Sequence, residues 1–328
     1  MKTNKQNHYY FSQPLFVLII CSIIFGILPG CKKNSISTDD REVENKDIYK
    51  FVLPNVPASL TNPRERADYM VNHYWDNYDF ADTGYLHLPE VVEQAFVNYI
   101  NILPHANEDI SMQSVKSTLT KAEVDDKVYA YFLDIFRKYL YTPNSEFRND
   151  TYYYPVLEHS LVSEKTDETQ KSKARFELEM ISKNRVGDIA ADFVYTMGSG
   201  KTSTLHKIKG NKILLLFYDP ECRNCAQLMR DVRLSSILAV EVENKRLTLF
   251  AFYPGADEIA WNSYRGEIPS SWINGYDGKN VVEDKVLYDL KAIPSLYLLD
   301  KEKKVILKDA SFETVERYLE ENMPVMLK

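Results

Sequence analysis

The 328 residues hold 40 Lys and Arg against 47 Asp and Glu, a formal charge of −7, with a pI near 5.5. That balance argues against a nucleic-acid-binding surface. The length suits two domains, with enough apolar content for a core in each.

Taken in chain order, Lys2 and Lys5 precede an apolar stretch from Leu15 to Leu28, the length of a signal-peptide core and short for a spanning helix. The stretch ends in Leu28-Pro29-Gly30-Cys31, which resembles a bacterial lipobox, whose cysteine carries lipid and becomes the first residue of the mature chain. An ordinary signal peptide or an uncleaved anchor are the alternatives, and all three export the rest of the chain. Lys32 to Lys46 is polar and charged and reads as a flexible tether. Lys32 and Lys33 stand where an acidic surface-export signal would carry Asp or Glu, so the periplasmic face, with the outer membrane as anchor, is favoured.

From about Ile48 to Ser182 the pattern is helical. Asn62-Pro63 supplies an N-cap and an N1 proline, followed by Ala67, Met70, Val71, Tyr74 and Trp75 at helical spacing. A second helix follows Pro89 and ends at Pro104. A third runs from about Lys121 to Tyr141 on a stripe from Val124 to Leu140, and two more cover about Tyr154 to Val162 and Asp167 to Ser182. Helices without strand signals predict a bundle. Its many tyrosines, including Tyr152-Tyr153-Tyr154, read as residues with the ring in the core and the hydroxyl in water, in preference to a carbohydrate or peptide groove.

Near Lys183 the character changes. Gly187 to Phe193 introduces a short strand. Gly198-Ser199-Gly200-Lys201-Thr202 fails as a phosphate loop because Tyr195 stands where glycine is required, and it reads as a turn between two short strands. Ile213 to Tyr218 is a buried central strand, Ser235 to about Asn244 a helix, and Leu247 to Tyr253 a second strand, parallel to the first. Ala256 to about Asp284 reads as a loop carrying Trp261 and Trp272 over the site. A strand within Leu287 to Asp300 pairs with Val305-Ile306-Leu307 as an edge hairpin, and a helix closes the domain from Ser311 to about Asn322.

The candidate chemistry sits at Cys222-Arg223-Asn224-Cys225, where the central strand hands over to a helix. Asp219 as N-cap and Pro220 at N1 would place Cys222 in the first helical turn, where unpaired N–H groups and the helix dipole favour the nucleophilic thiolate. Cys225 follows one turn later on the same face, so the two sulfurs can close a disulfide. The neighbouring charges tune the site in opposite senses: Arg223 favours the thiolate, while Asp219 and Glu221 oppose it. With Cys21 in the leader and Cys31 carrying lipid, Cys222 and Cys225 are the mature chain's thiols. A structural disulfide would close a longer loop, so a redox role is favoured. A zinc site would need a second Cys-x-x-Cys, and His73, His87, His105, His159 and His206 are scattered singly. Haem attachment needs a histidine where Ala226 stands. No metal and no cofactor is expected.

Three pieces together resemble a thioredoxin-like domain of the exported, membrane-tethered class that includes the thiol-disulfide proteins of cytochrome maturation. Gly187 to Phe193 matches its opening strand, with Ala191 where proline is usual; Cys222 and Cys225 match its redox pair; Ile293-Pro294-Ser295 matches its cis-proline turn. The helical half resembles the domain of unassigned function found ahead of thioredoxin domains in lipoproteins of the Bacteroides group. The resemblance implies an α/β thioredoxin-like fold over 184–328, preceded by an all-α helical bundle over 48–183, a tether over 31–47 and a lipoprotein signal peptide over 1–30. It implies Cys222 as the attacking cysteine, Cys225 as the buried resolving one, and a cis peptide at Ile293-Pro294 whose backbone pairs with an extended substrate segment. Two residues depart from the family: Glu221 replaces a tryptophan, and Leu216 the buried aspartate that relays a proton from the resolving cysteine. Glu258 or Glu267 could substitute for it, though solvated loop charge is the favoured reading. The function implied is a lipid-anchored periplasmic thiol-disulfide oxidoreductase, reductive in direction, with protein thiols and disulfides as substrates and a membrane or periplasmic redox partner. The alternative is a non-enzymatic binding or adaptor lipoprotein that recognises its partner through the helical domain.

Overall fold

The computed structural model describes residues 50–143 and 145–323. The leader, Cys31 and the tether lie outside the described residues. Among the described residues the first half has six α-helices, α1 Pro63–His73, α2 Pro89–Ile102, α3 Glu108–Ala122, α4 Asp126–Leu140, α5 Asp150–Val162 and α6 Glu168–Ile181. Local chemistry sets most of their starts. Asn62, Asn107, Asp125, Asn149 and Asp167 each cap the helix that follows with a side-chain oxygen, and Asp167 with Gln170 forms a reciprocal capping box.

Two expectations are corrected here. The helix expected over 121–141 begins only at Asp126, because Asp125 caps it, and a separate helix, α3, precedes it. The helix expected from Tyr154 starts at Asp150, so Pro155 lies inside it, where the missing N–H forgoes the bond to Thr151.

The helical core is aromatic: Tyr74, Trp75, Phe96, Tyr99, Phe132 and Phe136 are all buried in it. Several of its tyrosine hydroxyls are bonded within the protein instead of to water, a further correction, while those of Tyr78 and Tyr131 are buried without a hydrogen-bond partner. Tyr74 donates to the Ala95 carbonyl (2.8 Å), Tyr99 shares a 2.7 Å bond with Ser114, and Tyr153 donates to Glu177 (2.6 Å).

The second half is a seven-stranded mixed sheet in the order β2-β1-β5-β4-β3-β6-β7. The strands are β1 Val194–Thr196, β2 Thr202–Thr204, β3 Lys212–Phe217, β4 Leu247–Tyr253, β5 Ile273–Tyr276, β6 Ser295–Asp300 and β7 Val305–Leu307. The turn read at 198–202 joins β1 to β2. The opening segment over 187–193 is not a continuous strand. It runs along β7, with Gly187 and Ala190 donating to the Val305 and Lys303 carbonyls (2.8 and 2.9 Å) and one bridge at Ile189. The stretch read as a loop over 256–284 contains α9 Glu258–Tyr264, strand β5 and α10 Val281–Asp284; α7 Arg223–Leu234 and α8 Ser236–Glu243 precede it, and α11 Phe312–Glu321 closes the domain. β5 is short and contains Asn274 and Gly275, which hide it in the sequence, yet it pairs in parallel with β4 and meets β1 at Thr196.

β3 is buried on both faces. Leu214, Leu216 and Tyr218 point into a core shared with Cys225, Met229, Val232, Val315 and Leu319 from α7 and α11. Ile213, Leu215 and Phe217 face the opposite core, with Phe193, Phe250, Phe252 and Tyr297. The alternation follows from the strand's two-residue period.

Candidate active site

Pairing register brings the site together. Phe217, the last residue of β3, lies opposite Phe252 in parallel β4 and opposite Ser295, the first residue of antiparallel β6. The turn leaving β3 therefore sits beside the turn entering β6, which places Cys222 next to Ile293-Pro294. The Ile293–Pro294 peptide is cis.

Asp219 does not cap the helix. Its carboxylate accepts from the Glu221 N–H (2.8 Å) within a turn closed by the Cys222 N–H to the Asp219 carbonyl (3.2 Å). The short polar side chain is satisfied locally, so the helix begins three residues later and Cys222 is itself the N-cap. The Cys222 sulfur takes the capping acceptor's place and receives the Cys225 N–H at 3.1 Å. In the opposite direction the thiol faces the Ile293 carbonyl, 3.6 Å from Sγ to O. The two contacts lie on opposite sides of the sulfur, and together they fix where it points.

The two cysteines are unequal. Cys222 is partly exposed, whereas Cys225 is fully enclosed. Burial pushes the Cys225 thiol well above the ordinary cysteine range; the Cys222 sulfur and the Asp219 carboxylate push the same way, against the opposing Asp219 backbone amide. Both residues are free thiols.

Arg223 and Glu221, expected to tune the site, flank Cys222 with exposed side chains. Their charges act through water, where screening weakens them. Leu216 occupies the core around Cys225 where the family's carboxylate would stand. Glu258 and Glu267 are both solvent-exposed. Trp261 packs below the site and donates to Asn274 Oδ1 (3.2 Å), which also accepts from the Tyr218 hydroxyl (3.2 Å). Among the described residues no group of three or more His, Cys, Asp or Glu is placed to hold a metal ion.

Sequence reasoning missed the residues that flank Ile293-Pro294. A cleft of about 850 Å³ opens where the helical half meets the sheet, and Pro294 lines it together with Arg148, Asp150, Lys308 and Asp309. Residue spacing holds no sign of this, since Arg148 and Asp309 lie far apart in the chain.

A thioredoxin-like protein from Bacteroides caccae has a crystal structure that matches with a TM-score of 0.81 at 40% identity, covering 84% of this chain and 99% of that one. The chain belongs to the thioredoxin-like family. Within this thioredoxin-like chain, residues 30–184 match the model of a family described as a domain of unknown function, DUF5106. The C-terminal domain of an uncharacterised Bacteroides fragilis protein is similar at 40% identity, covering 42% of this chain and 99% of that one, with a TM-score of 0.42. The thioredoxin domain of a thiol-disulfide oxidoreductase from Bacteroides vulgatus matches at 19% identity, covering 42% and 96%, with a TM-score of 0.34. No curated protein matched the chain.

Proposed function

We propose that this thioredoxin-like chain is a thiol-disulfide oxidoreductase acting on protein substrates through Cys222 and Cys225, in the reductive direction. The observation that carries the reading is the paired asymmetry of the sulfurs: one partly exposed at a helix N-cap and aimed at the Ile293 carbonyl, the other enclosed one turn away.

The Cys222 thiolate attacks a substrate disulfide, forming a mixed disulfide and expelling one substrate thiolate, which takes up a proton. Cys225 then loses its proton and attacks the Cys222 sulfur. The second substrate thiol leaves, and the Cys222–Cys225 disulfide closes. Two electrons pass from the protein's dithiol to the substrate, and an external dithiol restores the pair. No cofactor takes part. The substrate's extended segment lies against the Ile293 backbone and Pro294, at the mouth of the cleft. The Leu28-Pro29-Gly30-Cys31 sequence supports a lipid anchor at Cys31 on the periplasmic face of the outer membrane. A membrane or periplasmic dithiol protein is then the electron donor, and nucleic acid plays no part.

The test is a redox titration of the purified protein against glutathione, read by thiol labelling and mass. A potential near that of thioredoxin, about −270 mV, supports the reductive direction, and one near about −120 mV would make the protein a disulfide donor. If the two cysteines neither form a disulfide nor exchange with glutathione, the redox reading is wrong. An adaptor that uses only the helical domain would then be left, and its binding would survive Cys222→Ala. Loss of detergent-phase partitioning in Cys31→Ala checks the anchor.

A further inference from the structure

We infer that the helical half positions the redox site by gripping the Ile293-Pro294 turn from both flanks, with Lys291 and Arg148 as its positioning residues. The inference rests on the thiol-disulfide reading and gives the helical domain a role in it.

The first grip precedes the turn. Lys291, two residues before Ile293, sends its ammonium away from solvent and over the Tyr141 ring of the helical half, 4.0 Å from the centroid. The same Nζ lies 2.8 Å from Asp289 and 3.6 Å from Asp150, the first residue of α5. The Lys291 side chain is only 9% exposed. Arg137 stands over the same Tyr141 ring at 5.4 Å, and Tyr141 stacks on Tyr153 at 4.9 Å, so the ring itself is held from within the helical half.

The second grip follows the turn. Ser295, next after Pro294, donates to Asp309 Oδ1 (2.8 Å). Arg148 of the helical half pairs with Asp309 Oδ2 (2.7 Å) and donates to the Asp309 carbonyl (2.8 Å). Lys308, beside Asp309, bonds Asp150 (2.7 Å) and the Ile181 carbonyl (2.8 Å) at the end of α6. Three cations, Arg148, Lys291 and Lys308, thus balance three carboxylates, Asp150, Asp289 and Asp309, in a largely buried array spanning both halves.

Charges withdrawn from water are costly to separate, because each would be left buried without its partner. The turn between the two grips is therefore held in one place, and its Ile293 carbonyl is the group that faces the Cys222 thiol. That contact needs the S–H group and is lost once the sulfur is alkylated or enters a disulfide, so it favours the dithiol over either product. Loosening the grips frees the carbonyl and removes that preference.

The test uses the full mature chain with three substitutions at the grips: Lys291→Met, Tyr141→Leu and the milder Asp150→Asn. Tyr141→Leu leaves every charge in the array in place, so agreement between it and Lys291→Met separates position from charge. Lys291→Arg, which keeps a cation over the ring, is the rescue. Thr166→Ala, which breaks the Tyr129–Thr166 bond elsewhere in the helical half, controls for general loss of stability.

The readouts are the glutathione equilibrium and, in a Cys225→Ser background, the alkylation rate of Cys222 at pH 7. Expected is a shift of roughly twofold to fivefold toward the disulfide and a rise of similar size in alkylation, the range set by one weak hydrogen bond from a thiol donor. Lys291→Arg should lie near the parent and Thr166→Ala on it. Folded grip variants that match the parent in both readouts overturn the inference, as does an equal shift in Thr166→Ala. Should the parent form no Cys222–Cys225 disulfide at all, the thiol-disulfide reading falls, while the alkylation rates still decide whether the helical half positions Cys222.

Discussion

If burial divides the labour between the two sulfurs, single-cysteine variants must differ sharply in reactivity. In Cys225→Ser the remaining thiol, Cys222, is partly exposed at the end of a helix; in Cys222→Ser the remaining thiol is fully enclosed among Leu214, Leu216, Tyr218 and Met229. An exposed thiol with the ordinary value is about one-tenth ionised at pH 7.5, and every unit by which burial raises a thiol cuts the thiolate about tenfold. Burial raises Cys225 well beyond that starting point. Reagent must also wait for a local opening, and an opening that costs even about 1.4 kcal/mol removes a further factor of ten. Iodoacetamide should therefore modify Cys222 in Cys225→Ser at least about a hundred times faster than Cys225 in Cys222→Ser, followed by quenched sampling and intact mass. In urea beyond the unfolding transition the two rates should converge. Rates within tenfold of each other in the folded proteins would show that enclosure does not control the pair, and the assignment of attacking and resolving roles would fail with it.

The structure supports two further predictions. Glu177, only 4% exposed, receives both the Arg137 Nε–H (2.8 Å) and the Tyr153 hydroxyl (2.6 Å); Glu177→Ala should cost about 2–4 kcal/mol, a fall of roughly 3–7 °C in melting temperature for a chain of this size, and a loss within 1 °C would contradict that bonding. Burial pushes the enclosed Tyr99 hydroxyl up to about 12 and Tyr131 likewise to about 12, so between pH 10 and 12 the unfolded chain releases protons that the folded one keeps. Stability should fall there by up to about 1.4 kcal/mol per pH unit for Tyr99, read as a falling urea midpoint that is flat below pH 9 and shallower in Tyr99→Phe.

The helical half shows where a periodic reading succeeds and where it stops. α1 and α2 announce themselves through apolar residues at three-and-four spacing behind an N1 proline, and α4 through its apolar stripe, though not through its Asp125 cap. α3 buries the same kind of face, Ser111, Ser114, Val115, Thr118, Leu119 and Ala122, but half of it is hydroxyl-bearing. Two of those hydroxyls are met by tertiary acceptors, Ser111 donating to the Leu103 carbonyl (2.9 Å) and Ser114 to the Val71 carbonyl (2.7 Å), while Thr118 donates back to the Ser114 carbonyl of its own helix (2.9 Å). A stripe of serine and threonine reads as surface unless its acceptors are known, and the tertiary ones lie on other elements. The helix packs on α1, α4 and α5, so the segment least visible in sequence sits at the centre of the bundle.

The site divides in the same way. Cys222, Cys225 and Ile293-Pro294 were legible because each is written in a few adjacent residues: a strand's apolar run, a Cys-x-x-Cys, a proline opening the next strand. What holds the two pieces in contact is the β3–β6 register on one side and the ionic array on the other, and neither leaves a local mark. Lys291 is the instructive case. It stands in a run from Leu287 to Leu299 that is otherwise largely apolar, where a lysine reads as a side chain reaching for water. Its ammonium instead reaches Tyr141 and Asp150, about 150 residues away in sequence, and stays 91% covered. A buried cation is tolerable only where its partners are in place, and here the partners belong to the helical half. The Ile293-Pro294 turn and the helical domain therefore share one electrostatic arrangement.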